Sequence, residues 1–594
     1  MSPTVLLLLT ALGAAMLTAL TTLLCAPLAH RLGVVARPRG DRWHRRPVPL
    51  LGGLAISAGA FAGFAAAGHL APSVLGLVVG GGACVVLGLL DDLRPFNPQT
   101  KLTAQLVIAT VAVAGGLRLP VTGVVWGDTL LAILWLVALS TALNLLDNMD
   151  GLAAGVSGIS AVAMALLFAG SGRMDLALLA GAMAGACAGF LVHNSAPASI
   201  FMGDAGSLFL GFMIGGLALA AGAAQRPGSM AGLVLPVLIV LLPVFDTAFV
   251  AVHRFVARRP IAQGGIDHMS HRLVAAGFSE RQAVAALYVV AALGALAAVA
   301  TARIGLADTG IAIVLLAIVL VMLGAFLGRV GGYAPAAGAG DTALAGTGPR
   351  RLPAASAYGR QAGAFAIDLL LVVVAYYAAY RLRFEQTYAV EQPLFVASLP
   401  FVVAAKMVAF AVLRTYQGLW RHTGLAAIVR LAQAVVLGGV LSILAVLAIF
   451  RFHGYSRALF VVDGILLFLF LGGSRVAARL MAEGLRPRPT GRKPVVIYGA
   501  GEAGLMVLRE IRSNGALGRE AVAFLDDDPA LARTDIHGLR VAGGADRLED
   551  VLRTTPVAEV VVSSTRIAPE RLAQLRELCD AHGVAVVRSV LRFE

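Results

Sequence analysis

The chain has 594 residues, of which 59% are hydrophobic and only 13% charged, and its mean hydropathy is +0.84; this excludes a single soluble domain and points to many membrane spans. The net charge of +14 is not gathered into the basic face that nucleic-acid binding would need, so it is read as the positive bias of cytoplasmic loops, which also attracts anionic headgroups and phosphates. Four scattered cysteines (Cys25, Cys84, Cys187 and Cys579) lack any metal or redox spacing, which excludes a disulfide framework and a zinc site.

In chain order, apolar stretches long enough to span fall near 4–29, 50–69, 73–90, 102–117, 127–146, 151–170, 175–193, 205–224, 230–253, 282–302 and 308–328. The first lacks a basic n-region and a small-residue exit, and reads as a retained span. A Gly/Ala/Pro/Thr stretch then reads as a flexible linker over 331–358. Four more spans follow near 361–380, 393–413, 428–450 and 457–474. After about residue 490 short apolar strands alternate with polar helices, the pattern of a soluble α/β domain. The expected fold is a polytopic α-helical membrane protein of about 11 + 4 transmembrane helices with a C-terminal Rossmann-like α/β domain. Its expected divisions are 1–330, 331–358, 359–490 and 491–594.

Loop charge sets the expected orientation. The segment after the first span, HRLGVVARPRGDRWHRRP, holds six arginines, whereas the next loop, GHLAPS, holds no Lys or Arg. The basic side is cytoplasmic, which puts the N-terminus outside. Counting on from there places LLDDLRPFNPQTK, NLLDNMDG, HNSAPASIFMGDAGS and HRFVARRPIAQGGIDHMSHR on one cytoplasmic face, with the C-terminal domain.

Carboxylates at span ends are costly to desolvate and mark function. Asp91 and Asp92 end the third span, Asp147 and Asp150 end the fifth beside Asn144, Asp204 sits in a Phe-Met-Gly-Asp-Ala-Gly-Ser turn, and Asp246 lies inside the ninth span. One such Asp would be a solvated helix end; several on one face would repel unless a cation and a diphosphate lay among them. Oxygen donors of this kind suit magnesium. Only Lys101, Lys406 and Lys493 are lysines among 47 basic residues, which draws attention to Lys101 beside this set.

Gly88-Leu-Leu-Asp-Asp92 with Lys101 and Gln105, Asn144-Leu-Leu-Asp-Asn-Met-Asp-Gly151, Asn194-x-x-Pro-Ala198 with Phe-Met-Gly-Asp204-x-Gly-Ser207, and the His-rich loop at 268–271 resemble the polyprenyl-phosphate N-acetylhexosamine-1-phosphate transferases (WecA/MraY-like). An upstream Trp-His44-Arg-Arg-Pro segment fits as well. The resemblance covers residues 1–330, and four ordered motifs make it specific. It implies Mg2+ (Mn2+ as the alternative) on Asp204, with Asn144 and Asp92 as further ligands. It implies that Asp91 and Asp92 hold or deprotonate the lipid phosphate and that Lys101 contacts phosphate. Asp147, Asp150 and Asn194 would line the uridine-nucleotide pocket, His268 and His271 would bind the diphosphate or sugar, and His44, Ser270 and Arg272 would touch substrate. Two positions depart from the family pattern: His268-Met-Ser-His271 stands where His-x-His-His is common, and Asn148 stands where glycine is usual.

The implied reaction takes a sugar-1-phosphate from a UDP-sugar to undecaprenyl or another polyprenyl phosphate, releasing UMP for cell-envelope glycan synthesis at the bacterial inner membrane. A lipid phosphate with a second pKa near about 6 is largely ionised at neutral pH, so direct attack needs no strong base. A two-step route through an aspartyl-phosphate on Asp91 or Asp92 stays open. A homodimer is compatible with this reading.

In the C-terminal third, Lys493-Pro-Val-Val-Ile-Tyr-Gly499-Ala-Gly501-Glu-Ala-Gly504 is a strand followed by G-x-G-x-x-G, and a second strand ends at Asp526, where an acid would meet a ribose hydroxyl. This predicts a nucleotide or NAD(P) held by Gly499, Gly501, Gly504 and Asp526. The four spans before it, with Asp368, Leu382-Arg-Phe-Glu385 and Tyr416-Gln-Gly-Leu-Trp-Arg421, resemble the membrane and first nucleotide-binding regions of CapD-like nucleoside-diphosphate-sugar epimerase/dehydratases. No Tyr-x-x-x-Lys pair follows, so no redox chemistry is expected there. Two other classes compete with the transferase: a flippase of lipid-linked sugars and a silent membrane nucleotide-sugar sensor. Neither requires the Asp-Asp, Asn-Asp and Gly-Asp-x-Gly-Ser set on one face.

Overall fold

The computed structural model describes residues 2–36, 47–69, 71–117, 123–225, 229–259, 267–328, 357–385, 387–413, 415, 425–452, 455–484, 493–513, 517–563 and 567–588. The chain forms two compact units, Met1–Pro487 and Arg488–Glu594. In the first unit the helices are α1 (Pro3–Leu32), α2 (Gly52–Ala66), α3 (Pro72–Leu93), α4 (Pro98–Ala114), α5 (Val125–Leu146), α6 (Leu152–Gly170), α7 (Met174–Asn194) and α8 (Gly203–Ala223). Next come α9 (Met230–Ile239), α10 (Leu241–Val256), α11 (Met269–Ala275), α12 (Glu280–Ile304) and α13 (Leu306–Leu327). Last in this unit are α14 (Ala357–Arg383), α15 (Tyr388–Val412), α16 (Leu425–Phe450) and α17 (Arg457–Gly484).

Among the described residues, twelve helices are long and apolar enough to cross a membrane, and α9 with α10 forms a pair bent by 84°. The stretch 230–253, expected as one span, is therefore broken at Val240. Proline explains the position: Pro243 has no N–H to continue α9, but in the first turn of α10 none is needed. Two other expected spans are short. The 15 residues of α2 and the 17 of α4 extend only about 22–26 Å at 1.5 Å per residue, against a hydrocarbon core near 30 Å. Of the linker expected at 331–358, only its last two residues lie among those described, as the start of α14.

α8 sits at the centre of this unit and is apolar on every side, the composition of a helix that packs on all faces. It packs on α3, α5 and α2, while α1 packs on α7 and α7 on α6. A short antiparallel pair, β1 (Val35–Ala36) and β2 (Val48–Pro49), leads into α2 and bonds to the segment that precedes α8. Phe201 N–H donates to Pro49 O at 2.8 Å, and the Gly52 and Gly53 amides donate to Phe201 O and Met202 O at 3.0 and 2.9 Å.

Helices α14–α17 bury two ion pairs. Lys406 on α15 binds both oxygens of Asp463 on α17 at 2.6 and 2.5 Å, and Arg475 on α17 grips Asp368 on α14 at 3.1 and 2.8 Å. Charges this deep persist only when paired. α13 joins the two helix sets, because Ile318 and Met322 enter the same apolar cluster as Leu371, Leu431 and Leu467.

The second unit is a four-stranded parallel sheet of β3 (Lys493–Tyr498), β4 (Arg519–Leu525), β7 (Glu559–Val562) and β8 (Ala585–Arg588), in the order β4-β3-β7-β8. Helices α18 (Glu502–Ser513), α19 (Leu548–Thr554) and α20 (Pro569–Ala581) accompany it, with the small pair β5 (Asp535–Ile536) and β6 (Leu539–Arg540) between β4 and α19. β3 and β7 read as near-continuous apolar runs because a parallel strand is covered on both faces.

Candidate active site

The ends of α3, α4, α5 and α8 converge. Gly88 makes this approach, since a Cβ there would collide with the Asp204 carbonyl and the Ala205 amide; the last turn of α3 lies directly against the first turn of α8. Asp92, one turn on, uses this closeness. Its two oxygens accept the Asp204 and Ala205 amides at 2.9 and 3.1 Å, capping the N-terminus of α8, where unpaired N–H groups and the helix dipole favour a carboxylate.

Asp91 faces the other way. One oxygen accepts the Phe96 amide at 2.6 Å, and the other accepts Lys101 Nζ at 3.0 Å. Lys101 also donates to Asp204, so one ammonium bridges two carboxylates that would otherwise repel. The second oxygen of Asp204 accepts Asn144 Nδ2 at 2.8 Å, and the same amide group donates to Ser207 Oγ at 2.8 Å. Asp91, Asp92, Lys101, Asn144 and Asp204 are thereby one connected cluster drawn from four helices.

A second set adjoins it at the end of α5. Asp147 caps that helix. Asp150 accepts the Ala198 amide at 2.8 Å. Asn194 accepts the Gly151 amide at 3.0 Å and donates to Ile200 O at 2.8 Å, at 2% exposure. Asn194, expected at the nucleotide, uses both amide ends inside the protein and pins the 147–151 turn to the segment that leads into α8.

The His-rich loop joins through Ser270, whose hydroxyl donates to Asn148 Oδ1 at 2.7 Å; the two positions that depart from the family pattern touch each other. His268 and His271 are both buried. His268 Nδ1 lies 2.7 Å from Asp246 Oδ2, and the Met269 amide donates to the other oxygen of Asp246 at 2.8 Å. Asp246 received no role from the sequence; the only signal was a carboxylate inside an apolar run upstream of a His-rich loop.

Arg272, expected to touch substrate, has partners inside the protein. It is 2% exposed, donates through Nε to Asp267 O at 2.9 Å and through Nη1 to Leu327 O at 3.0 Å, and stacks over Phe249. It ties the His-rich loop to the C-terminal end of α13, where a cation suits the exposed carbonyls. Arg254 holds Asp267 from α10 at 3.2 Å. His44, Tyr416 and Arg421 lie outside the described residues.

In the second unit the glycine loop follows β3. Gly504 is required by packing, since a Cβ would strike Gly499 O, whereas one on Gly501 would meet only open space. Asp526, expected at a ribose, accepts the Ala500 amide at 2.6 Å and the Asp528 amide at 2.9 Å, the latter as an Asx turn does. Its neighbour Asp527 meets Tyr498 Oη, the Ala545 amide and Arg571. Burial pushes the Asp527 carboxyl up, but those three partners outweigh it and hold it below the ordinary carboxylate value.

Residues 74–222 match the family model described as glycosyl transferase family 4, and residues 411–588 match one described as a CoA-binding domain. A probable undecaprenyl-phosphate N-acetylglucosaminyl 1-phosphate transferase of Bacillus subtilis (strain 168) is 33% identical, over 47% of this chain and 82% of that protein. The decaprenyl-phosphate N-acetylglucosaminephosphotransferase of Mycolicibacterium smegmatis is also 33% identical, over 49% of this chain and 80% of its own length. A phospho-N-acetylmuramoyl-pentapeptide-transferase of Moorella thermoacetica is 35% identical, over 35% of this chain and 75% of its own.

Proposed function

Because the chain belongs to glycosyl transferase family 4 and is a membrane-bound polyprenyl-phosphate glycosyl-1-phosphate transferase, we propose that it moves an N-acetylhexosamine-1-phosphate from a UDP-sugar to undecaprenyl or a related polyprenyl phosphate, with Mg2+, at the bacterial inner membrane. The observation that carries this is the cluster of Asp91, Lys101, Asp204 and Asn144, with Asp92 fixing the helix end beneath Asp204.

Asp204 and Asn144 fit a magnesium ion, which takes hard oxygen donors and few protein ligands. The remaining positions around such an ion would be filled by water and substrate phosphate oxygens. When bound, the ion supplies charge neutralisation at the diphosphate. An oxygen of the lipid phosphate attacks the β-phosphorus of the UDP-sugar. The new P–O bond forms as the bond to the bridging oxygen breaks, and that electron pair leaves with UMP. Lys101 neutralises incoming phosphate, His268 and His271 hold the diphosphate or sugar, and Asp147 and Asp150 face the nucleotide. The loops and the C-terminal unit lie in the cytoplasm and the N-terminus outside, following the loop charges.

The test is a panel of radiolabelled UDP-sugars with undecaprenyl phosphate in detergent or nanodiscs. One sugar should label the lipid with release of UMP; EDTA should abolish labelling and Mg2+ or Mn2+ restore it. Labelling that is indifferent to EDTA rules out the metal, and a panel with no substrate rules out the reaction.

For the C-terminal unit we propose a Rossmann-like module akin to the CapD-like proteins, binding a nucleotide-bearing ligand without redox chemistry. β3 has β4 on one side and β7 on the other, a switch point where ligands bind in parallel sheets; the open space over Gly501 lies beside it. Full-length protein should bind a labelled nucleotide, nucleotide-sugar, NAD(P) or CoA in equilibrium dialysis, and failure with all four classes refutes the proposal.

A further inference from the structure

We infer that Asp246 is a positioning residue for the transfer reaction, acting through His268 by fixing which ring nitrogen carries hydrogen and how the ring is turned. This rests on the proposed role of His268 at the donor diphosphate or sugar and adds a residue to that site.

Asp246 lies on α10, six residues past the bend from α9, at 2% exposure. A carboxylate in such surroundings is strongly disfavoured unless each oxygen is met by a donor. Both are met, and both donors belong to one short segment: the Met269 amide at 2.8 Å and His268 Nδ1 at 2.7 Å. If only packing were needed, an apolar side chain would serve as well or better. What the pair accomplishes is orientation. An ionised carboxylate only accepts hydrogen bonds, so Nδ1 must carry the hydrogen facing it, and Nε2 is the ring position left for another partner.

The bond to the Met269 amide adds a second constraint. It holds the backbone at the start of α11, so the ring cannot swing away by a shift of the loop. Ser270, bonded to Asn148, and Arg272, bonded to Asp267 and Leu327, hold the same segment from two further sides. The bend between α9 and α10 thus has a use: it carries a carboxylate out of an apolar run to the base of the His-rich loop.

The experiment compares full-length wild type, Asp246→Asn, His268→Gln and the double variant in the lipid-labelling assay. Asparagine keeps the shape and one acceptor, but turns a donor toward either Nδ1 or the Met269 amide. Asp246→Asn should lose about 10- to 100-fold in kcat with a smaller change in KM for the lipid phosphate, the range for removing a group that orients a functional histidine. The double variant should be no slower than His268→Gln alone, because two residues acting as one unit are not additive. Elution as a monodisperse species at wild-type Tm excludes misfolding as the cause. Asp246→Asn within twofold of wild type overturns the inference while the proposed reaction stands, and so do losses that multiply in the double variant. A wild-type protein that labels no lipid refutes the reaction and the inference together.

Discussion

Replacing Asp204 with asparagine should lower sugar-phosphate transfer by about 10³-fold while the protein stays folded, the scale on which a single charged group at a transferring phosphoryl is felt. Asp204 is the junction of the site: one oxygen accepts Asn144 Nδ2 at 2.8 Å and the other is met by Lys101, which also reaches Asp91 at 3.0 Å. The amide keeps the volume and one acceptor but removes the negative charge. Lys101 is then balanced by Asp91 alone, and the proposed ion loses its one carboxylate among the pair Asp204 and Asn144. The measurement is the initial rate of lipid labelling at saturating Mg2+, with elution profile as the folding control. A variant retaining more than about a tenth of wild-type rate would remove Asp204 from the metal site.

Asp92→Asn should slow transfer by about 10²-fold and leave a rate clearly above background, the consequence expected when a reacting group is displaced by roughly 1 Å. Both Asp92 oxygens accept backbone amides, from Asp204 and Ala205. Asparagine can accept one of them and must turn its NH2 toward the other, so the first turn of α8 shifts and Asp204 moves with it. The lost cap also costs about 1 kcal/mol of stability. This result separates two mechanisms. If Asp92 were the nucleophile of an aspartyl-phosphate route, its amide could form no such intermediate and transfer would fall to background. Measuring residual rate against a no-enzyme control, with a search for phosphorylated protein after UDP-sugar alone, decides between them.

In the C-terminal third, Asp526 lies at the distance from the glycine loop at which an acid meets a ribose, and its carboxylate also accepts the Ala500 and Asp528 amides, contacts that no spacing rule foretells. Arg272 and Asn194 have internal partners that the motifs did not reveal: each is 2% exposed, Asn194 bonding the Gly151 amide and Ile200 O, and Arg272 bonding Asp267 O and Leu327 O. Asp246 is the converse. Read within its own helix it has no partner, since His268 follows 22 residues later, beyond a loop. The bend at Val240 was hidden because an apolar run averages over Pro243, the proline that breaks it.

From the sequence alone came the membrane class, the positions of the apolar helices and the gathering of carboxylates at their ends, because each depends on local composition and on the cost of desolvating charge. Tertiary structure decided which oxygen of each carboxylate meets an amide, an ammonium or a ring nitrogen. Asp92 and Asp204 are 112 residues apart and Asp246 and His268 are 22; no periodicity within a helix encodes such pairings. They arise only when close approaches such as Gly88 against the start of α8 bring distant chain segments within hydrogen-bond reach.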